Sequence, residues 1–548
     1  MKKTFLLSCL MLAAMPVMAA YTGHVYVDKN KNGVFDQSEK PLAGIKVSDG
    51  LNVVETAADG SFTLPGHERE RFIFITTPSG YKTFNRHYHK IEKKQSGYDF
   101  GLIPYSGRIR KDGSHRYIHI TDTEIFNTEN HADWVNNVRD YARNEQAAFI
   151  IHTGDICYEK GLKAHIKLMN TENMDCPVFY CIGNHDLVKG KYGEELFESI
   201  YGPVYYSFDA GNVHYVVTPM PGGDHAPGYT SDDVCRWLKN DLAHIRPGTP
   251  VVVFNHDLLT YEDTFIFKSK NAGSINLNEY NLKAWVYGHW HINYMKKQGD
   301  VYSVCTSSLD KGGIDHSTTA FRVMHVDSKG DFTSELRYTY LDKNICIASP
   351  AGVMASGVLP VAVNVYSSVS PVREVLYTCL ADGKPVLKNK RLLQSTDWSW
   401  NGELPLSHKY VGKELTLRVT ARFNNGEIAE AESNFICRTE KAVPLFSADW
   451  DNLSGNAKHS APVSAPLNLP LQLAWTNNVG ANLYMTSPLI HKGKVIVASV
   501  DEDLKGAGHV YALNGKDGTI LWSCPVRNSI KNSIAVDSDI VFAQDAQG

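Results

Sequence analysis

Beyond its first twenty residues the chain has no apolar run long enough to cross a bilayer as a helix. No sign of charge dominates: 55 Lys and Arg stand against 59 Asp and Glu, a net charge of -4 over 548 residues. That balance excludes the basic footprint of a nucleic-acid binder and the polybasic patch of a membrane-surface protein. Cysteine is sparse as well. Of ten, Cys9 falls in the N-terminal stretch and the other nine are scattered, with only Cys176 and Cys181 near each other, so a disulfide scaffold is excluded.

What is present at the start is an export signal. Lys2-Lys3, an apolar stretch from Phe5 to Met18, and Val17-Met18-Ala19 before Ala20 make residues 1–20 a secretory signal peptide. Leu6-Leu7-Ser8-Cys9 leaves too short an apolar region before Cys9 for a lipid anchor. An export signal without a disulfide framework fits a periplasmic or secreted bacterial protein.

The length calls for several domains. Residues 21–106 read as short strands with turn signals, among them His24-Val25-Tyr26-Val27 and Phe72-Ile73-Phe74-Ile75, a small β-sandwich. Inside it Asp28, Asn30, Asn32, Gly33, Asp36 and Glu39 match a twelve-residue calcium loop, with Val34 as its backbone ligand. The flanks look like strands, so this is no EF-hand. A plain Asn/Gly-rich turn is the other reading. Residues 107–345 alternate apolar runs with amphipathic segments: Trp134, Val138 and Tyr141 at helical spacing, then Val234, Trp237, Leu238, Leu242 and Ile245 behind the N-cap candidate Ser231. This is an α/β domain with a layered sheet. Residues 346–443 return to strands, an immunoglobulin-like β-domain. Residues 444–548 contain Gly493-Lys494-Val495-Ile496-Val497-Ala498, His509-Val510-Tyr511-Ala512-Leu513 and Gly518-Thr519-Ile520-Leu521-Trp522, strands of one propeller-type blade. Ile534-Ala535-Val536 and Asp539-Ile540-Val541-Phe542 begin a second. A propeller takes about four to eight blades, so the sequence is expected to be a truncated form of a longer protein, or its tail to pair with an unknown partner. The fold class is therefore multidomain: a central α/β layered domain flanked by β-sandwich domains, with a partial β-propeller-like tail.

The central domain holds the chemistry. Val178-Phe179-Tyr180 runs into Cys181-Ile182-Gly183-Asn184-His185-Asp186. Asn is an oxygen ligand for hard cations, His can give a proton to a leaving oxygen, and Asp can fix an imidazole's tautomer. The same grammar recurs four times: at Asp122-Thr123-Glu124, Gly154-Asp155, Asn255-His256-Asp257 and Gly288-His289-Trp290-His291, each after a short apolar run. Ligands collect outside the carboxyl ends of strands in α/β sheets. Five such ends in order point to one cleft.

The set Asp122, Gly154-Asp155, Gly183-Asn184-His185-Asp186, His256 and Gly288-His289-Trp290-His291 resembles the calcineurin-like metallophosphoesterase family. Residues 21–106 and 346–443 look like the β-domains flanking this domain in secreted bacterial members. The tail is similar to a repeat first described in quinoprotein dehydrogenases. The resemblance implies a phosphoesterase acting on a monoester or diester through metal-bound hydroxide at a two-metal site. Asp122 and His291 would bind one ion, Asp155 would bridge, and Asn184, His256 and His289 would bind the other. His185 would act on the leaving oxygen, oriented by Asp186. The mixed carboxylate, amide and imidazole donors suit two divalent ions such as Mn, Fe, Zn or Mg.

One position departs from the pattern. The family usually has Asp-x-His where this chain has Asp122-Thr123-Glu124, and Glu124 is expected to supply the missing ligand. The rival is Tyr158, because Gly154-Asp155-Ile156-Cys157-Tyr158 also resembles the tyrosine-bearing block of purple acid phosphatases. The loop Pro221–Gly228 reads as a connector or a rim of the cleft. The second function class is a carbohydrate- or protein-binding surface module with a degenerate phosphoesterase domain, and the unbroken ligand set argues against it. A quinone-dependent dehydrogenase would rest on the tail alone. The substrate, a small-molecule or polymer-linked phosphate ester, is not specified by a metal set.

Overall fold

The computed structural model describes residues 20–93, 95, 97–439, 449–460, 473–503 and 506–548; the expected signal peptide lies outside these but for Ala20. Among the described residues no helix is long and apolar enough to cross a membrane.

Two mixed sheets packed face to face form the central domain. One runs Val178–Tyr180, Phe149–His152, His115–Ile120, Ala320–Val326, Phe332–Tyr338; the first three strands are parallel. The other runs Tyr206–Ala210, Val213–Val217, Val251–Phe254, Leu282–Tyr287, Val301–Cys305, Tyr294–Gln298, with four consecutive parallel strands from Val213–Val217 to Val301–Cys305. The apolar runs are those of strands buried on both faces: Val251–Phe254 and Phe149–His152 are buried throughout. An aromatic layer joins the sheets, with Phe179 stacked on Phe208 at 3.8 Å, Tyr117 on Phe149 at 4.7 Å and Phe149 edge-on to Tyr215 at 4.9 Å. Helices Ala132–Asn144 and Ser231–Ala243 lay Trp134, Val138 and Tyr141, and Val234, Trp237, Leu238 and Leu242, into the core.

The N-terminal strands form a five-stranded and a four-stranded sheet around Val25, Val47, Phe62, Ile73 and Leu102. This unit docks on the central domain through Phe74 against Trp237, Thr76 Oγ1 2.8 Å from Ser207 Oγ, and Arg71 2.8 Å from both Glu194 and Glu198. In the loop expected to hold calcium, Gly33 is left-handed (φ 72°). Asp28 accepts the Asn32 and Gly33 amides and Glu39 accepts those of Lys29 and Asp36. Asn30 and Asn32 donate to Asp36, and Val34 is exposed.

Strands from Lys343–Ser349 to Ile428–Arg438 form two facing sheets around Val363, Val375, Leu417 and Phe435. In the tail, Leu489–His491, Lys494–Ala498, Gly508–Asn514 and Ile520–Val526 pair antiparallel in sequence order, and Ala535–Asp537 pairs with Ile540–Phe542. The tail touches the central domain through buried polar groups. Lys531 Nζ lies 2.8 Å from Asp315 and pairs with Glu502, and the buried Arg322 donates to the Glu502 carbonyl at 2.7 Å.

One local expectation is corrected. The Ser231 helix is capped by Thr230, whose hydroxyl accepts the Asp233 amide at 3.2 Å while Asp233 takes back the Thr230 amide at 2.9 Å. This reciprocal box satisfies two end groups at once, and Ser231 becomes the first helical residue.

Behind the cleft His165 is fully buried between Trp134, His152 and Tyr180, with neither ring nitrogen hydrogen-bonded. Burial presses its pKa down to about 3, against about 6.5 in an unfolded chain. The native state holds the ring neutral, so its contribution is complete above pH 6.5 and declines as the pH falls toward 3. At pH 5 the loss from this residue is about 2 kcal/mol. His165→Leu therefore flattens the fall in melting temperature between pH 7 and pH 5. Parallel curves for the two proteins would refute this.

Candidate functional site

Seven residues around the strand ends adopt left-handed backbone without being glycine: Asp122, Glu124, Asp155, Cys157, Tyr158, His289 and His291, with φ between 43° and 73°. Such conformations are costly and persist where the surroundings over-determine them. Here they turn the chain as it leaves three of the strands, His115–Ile120, Phe149–His152 and Leu282–Tyr287. Close loop packing holds them. A Cβ on Gly183 would fall 2.2 Å from Asp155 Oδ1, and one on Gly288 would fall 1.9 Å from Thr121 Oγ1 and 2.7 Å from Asp122 Oδ2. The Asp122 amide donates to the Gly154 carbonyl at 3.0 Å and that of Glu124 to the Asp155 carbonyl at 3.2 Å.

The turned side chains converge. Ligand atoms of Asp155, His256 and His289 lie within 4.8 Å of one another, as do those of Asp122, Asp155 and His291 and those of Glu124, Asp155 and Cys157. Asp155 belongs to all three groups. Its Oδ2 is 3.1 Å from His256 Nε2, and its Oδ1 accepts the His185 amide at 3.0 Å. Asp122 Oδ2 accepts the Thr121 hydroxyl at 2.8 Å and the His289 amide at 3.0 Å, which leaves Oδ1 without a partner 3.3 Å from His291 Nε2. His256 Nδ1 donates to the Thr153 carbonyl at 2.7 Å, which leaves Nε2 facing Asp155 Oδ2. Asn184 Oδ1 is also buried and unpartnered. Two buried oxygen acceptors without a donor, Asp122 Oδ1 and Asn184 Oδ1, among carboxylates and imidazoles fit divalent cations. Burial opposes charge on His256, yet Asp155 and Asp122 draw its pKa up to about 10. Burial also opposes charge on Asp155, and the His256 charge and hydrogen bonds outweigh it to hold that carboxyl below its usual value.

Glu124 reaches this site: its Oε1 lies 3.5 Å from His291 Nε2 while its Oε2 accepts Lys311 Nζ at 2.6 Å. The extra carboxylate comes with its own counter-ion. Tyr158 is 44 % exposed, its ring 5.3 Å from that of His185. Cys157 was absent from the sequence-predicted set. Burial and the neighbouring carboxylates push its thiol pKa up, so it stays protonated and is a poor ligand.

The expected partnership of His185 with Asp186 is corrected. Asp186 is fully buried and accepts the Gly183 and Cys157 amides, both at 2.9 Å. It ties two loops together and has no hydrogen bond to the imidazole. Burial and the charge of Asp155 raise its pKa to about 7. The imidazole is held instead by Asp224, whose Oδ2 is 2.8 Å from His185 Nδ1. Burial works against charge on His185, and this hydrogen bond outweighs it to raise the pKa. The glycine-rich loop Pro221–Gly228 is thus part of the site, because Gly223 lets the chain pass Asn184: a Cβ there would be 2.4 Å from the Asn184 carbonyl. Trp290 packs edge-on to Tyr287 and donates to Asp257 at 3.1 Å. His214, between Asp209 at 2.7 Å and Asp241 at 2.8 Å, is a buried strand residue away from the cleft.

Residues 115–293 match the family described as Calcineurin-like phosphoesterase, and residues 29–104 match the family described as N terminal of Calcineurin-like phosphoesterase. Purple acid phosphatase 13 of Arabidopsis thaliana is 26 % identical over 215 residues, 37 % of this chain and 36 % of that protein; the chain thus spans about a third of that relative's length. A solved structure from Streptococcus pneumoniae TIGR4, described as a conserved uncharacterized protein and predicted phosphoesterase, is 12 % identical. It covers 41 % of this chain and 98 % of its own, with a TM-score of 0.20.

The Gly183 contact gives a test of the site as a cation nest. Gly183→Ala displaces the shared carboxylate and should abolish divalent-metal uptake by the purified protein. Gly222→Ala, with open space at its Cβ, should retain it. Elemental analysis of the two variants decides, and full uptake by Gly183→Ala would contradict the arrangement.

Proposed function

We propose that this chain, which carries a calcineurin-like phosphoesterase domain behind that family's N-terminal domain, hydrolyses a phosphate monoester or diester at a two-metal site. The observation that carries the reading is the sharing of Asp155 between the ligand group of His256 and His289 and that of Asp122 and His291. Asn184 completes the first group, and Glu124 the second in place of the family's histidine. Divalent ions held there would supply Lewis acidity toward the phosphoryl group and would lower the pKa of a water molecule. The chain's own residues do the rest. The Thr153 carbonyl fixes the His256 tautomer, and the His289 amide and Thr121 hydroxyl fix the rotation of Asp122. His185 is the general acid. With Nδ1 held by Asp224, its Nε2 faces the departing oxygen and hands it a proton. Asp224 keeps the ring protonated and in register, a positioning residue. The alternative reading, a binding module with a degenerate catalytic domain, has no support in a ligand set this complete. Export to the periplasm or beyond is proposed on residues 1–20 alone; cell fractionation tests it.

Two measurements test the assignment. His185→Asn should keep both ions and lose roughly 10²–10⁴ in turnover. Asp224→Asn should lose less, and the double variant no more than His185→Asn, since both act through one imidazole. Loss of metal in His185→Asn, or additive losses in the double variant, would sink the assignment.

The choice of Glu124 over Tyr158 is visible by eye. The Glu124 reading gives a colourless protein in which Glu124→Ala lowers the metal content from two ions to one. A purple protein bleached by Tyr158→Phe would instead establish a tyrosinate–iron site.

A further inference from the structure

Two aromatic rings at the mouth of the cleft are left open to solvent. Phe126 is 55 % exposed and Tyr158 44 %. Their planes are within 18° of parallel with centroids 6.3 Å apart, and the Tyr158 ring is in turn 5.3 Å from that of His185. The three rings form a row that leads outward from the proposed general acid.

The row is anchored from below. Ile125, immediately before Phe126, is buried, and its carbonyl packs so closely on Gly161 that a Cβ there would meet it at 2.3 Å. Tyr158 stands on two consecutive left-handed residues, Cys157 (φ 73°) and Tyr158 itself (φ 50°). The Cys157 amide donates to Asp186 at 2.9 Å and the Tyr158 amide to the His185 carbonyl at 3.2 Å. The loop that holds the catalytic histidine therefore also fixes the tyrosine. A strained backbone that presents an aromatic ring to water, where burial would be favourable, is a feature retained against both terms.

We propose that Tyr158 and Phe126 form a stacking shelf for the leaving group, and that the substrate class is a phosphate ester whose departing alcohol carries a planar ring, a nucleoside or an aryl group. The inference rests on the phosphoesterase reading and deepens it. His185 Nδ1 is occupied by Asp224, so the departing oxygen lies on the Nε2 side, and whatever it carries must leave past the imidazole. The first surface it meets is the Tyr158 ring, and the second is Phe126. A planar ring gains from each by stacking without hydrogen-bond readout, as bases do on aromatic platforms. A second exposed aromatic, Tyr261, stacks at 6.0 Å on Trp290 beside His289 and His291. It flanks the metal-ligand side of the cleft and serves as a control.

The test uses the metal-loaded full chain with adenosine 5′-monophosphate, phenyl phosphate and glycerol 1-phosphate. The nucleotide and glycerol phosphate both release a primary alcohol, so their kcat/KM ratio isolates the ring. The ratio should favour the nucleotide by roughly tenfold or more. Phe126→Ala and Tyr158→Ala should each lower it about tenfold, while Tyr158→Phe and Tyr261→Ala keep it. The phenyl phosphate arm identifies the source. If only that ester responds to Phe126→Ala, the ring is attached directly to the leaving oxygen; if only the nucleotide responds, it is one sugar away. Adenosine should bind by calorimetry and compete with substrate where ribose does not, and Phe126→Ala should weaken it. A ratio near one or unchanged in both alanine variants, together with phenyl phosphate hydrolysis that Phe126→Ala leaves unchanged, would overturn the shelf while leaving the hydrolase intact, as would glucose 6-phosphate matching the nucleotide with the same sensitivity to Phe126→Ala. If none of the esters is hydrolysed, the phosphoesterase reading fails, and adenosine binding that Phe126→Ala fails to weaken then overturns the shelf as well.

Discussion

The constraint on which the site depends is the packing of like charges into a dry space. Asp122 and Asp155 are essentially sealed from solvent, and Asp186 sits behind them. Carboxylates this close oppose one another's ionisation unless cations join them. These carboxylates draw the pKa of both His256 and His291 upward. Among the described residues Asp122 Oδ1 and Asn184 Oδ1 are buried with no hydrogen-bond partner, acceptors that a cation would satisfy. The same electrostatics bears on Glu124, a further carboxylate beside His291 that carries its own counter-charge: Lys311 lies 2.6 Å from it.

Geometry follows from the same demand. At three of the five strand ends, those after His115–Ile120, Phe149–His152 and Leu282–Tyr287, the chain turns on leaving its sheet through left-handed residues. Glycine would do so at less cost, but glycine has no ligand atom. The compromise places ligand-bearing residues at positive φ and glycines directly against them, at 154, 183 and 288, where any Cβ would collide. The glycines of these blocks allow the loops to touch, and the strain falls on the residues that bear the chemistry.

Much of this was legible in the sequence because short, doubly buried strands have an unmistakable composition. Val251–Phe254 and Leu282–Tyr287 announce themselves, and the residues after them are then at strand ends by necessity. The alternation of strands and helices did not reveal that the strands divide into two facing sheets, since pairing between His115–Ile120 and Ala320–Val326 spans about two hundred residues and leaves no local trace. The partner of His185 was misread for a related reason. Adjacency favours Asp186, yet consecutive residues in a turn point apart, and Asp186 is taken up by the Gly183 and Cys157 amides. Asp224 lies in a glycine-rich loop with no periodicity, and only the close approach of Gly223 to Asn184 hints at its place.

The tail belongs to this argument although it contributes no ligand. Arg322 is fully buried and donates to the Glu502 carbonyl of the tail at 2.7 Å and to Thr306 Oγ1 at 3.1 Å. The same hydroxyl lies 2.8 Å from His119 Nδ1, and His119 Nε2 lies 2.8 Å from Thr153 Oγ1. Burial holds His119 neutral, so one of its ring nitrogens donates in this row and the other accepts. Thr153 is also the residue whose carbonyl sets the tautomer of His256. Lys531 reinforces the contact by pairing with Asp315, one residue beyond Ile314, whose amide donates to the His291 carbonyl at 2.9 Å. One row of hydrogen bonds thus runs from the tail to Thr153, which holds His256, and a second contact reaches the loop that holds the His291 carbonyl. Buried polar networks are destabilising when half satisfied, so the tail's backbone carbonyls and Lys531 are part of what makes the back of the metal site affordable to bury.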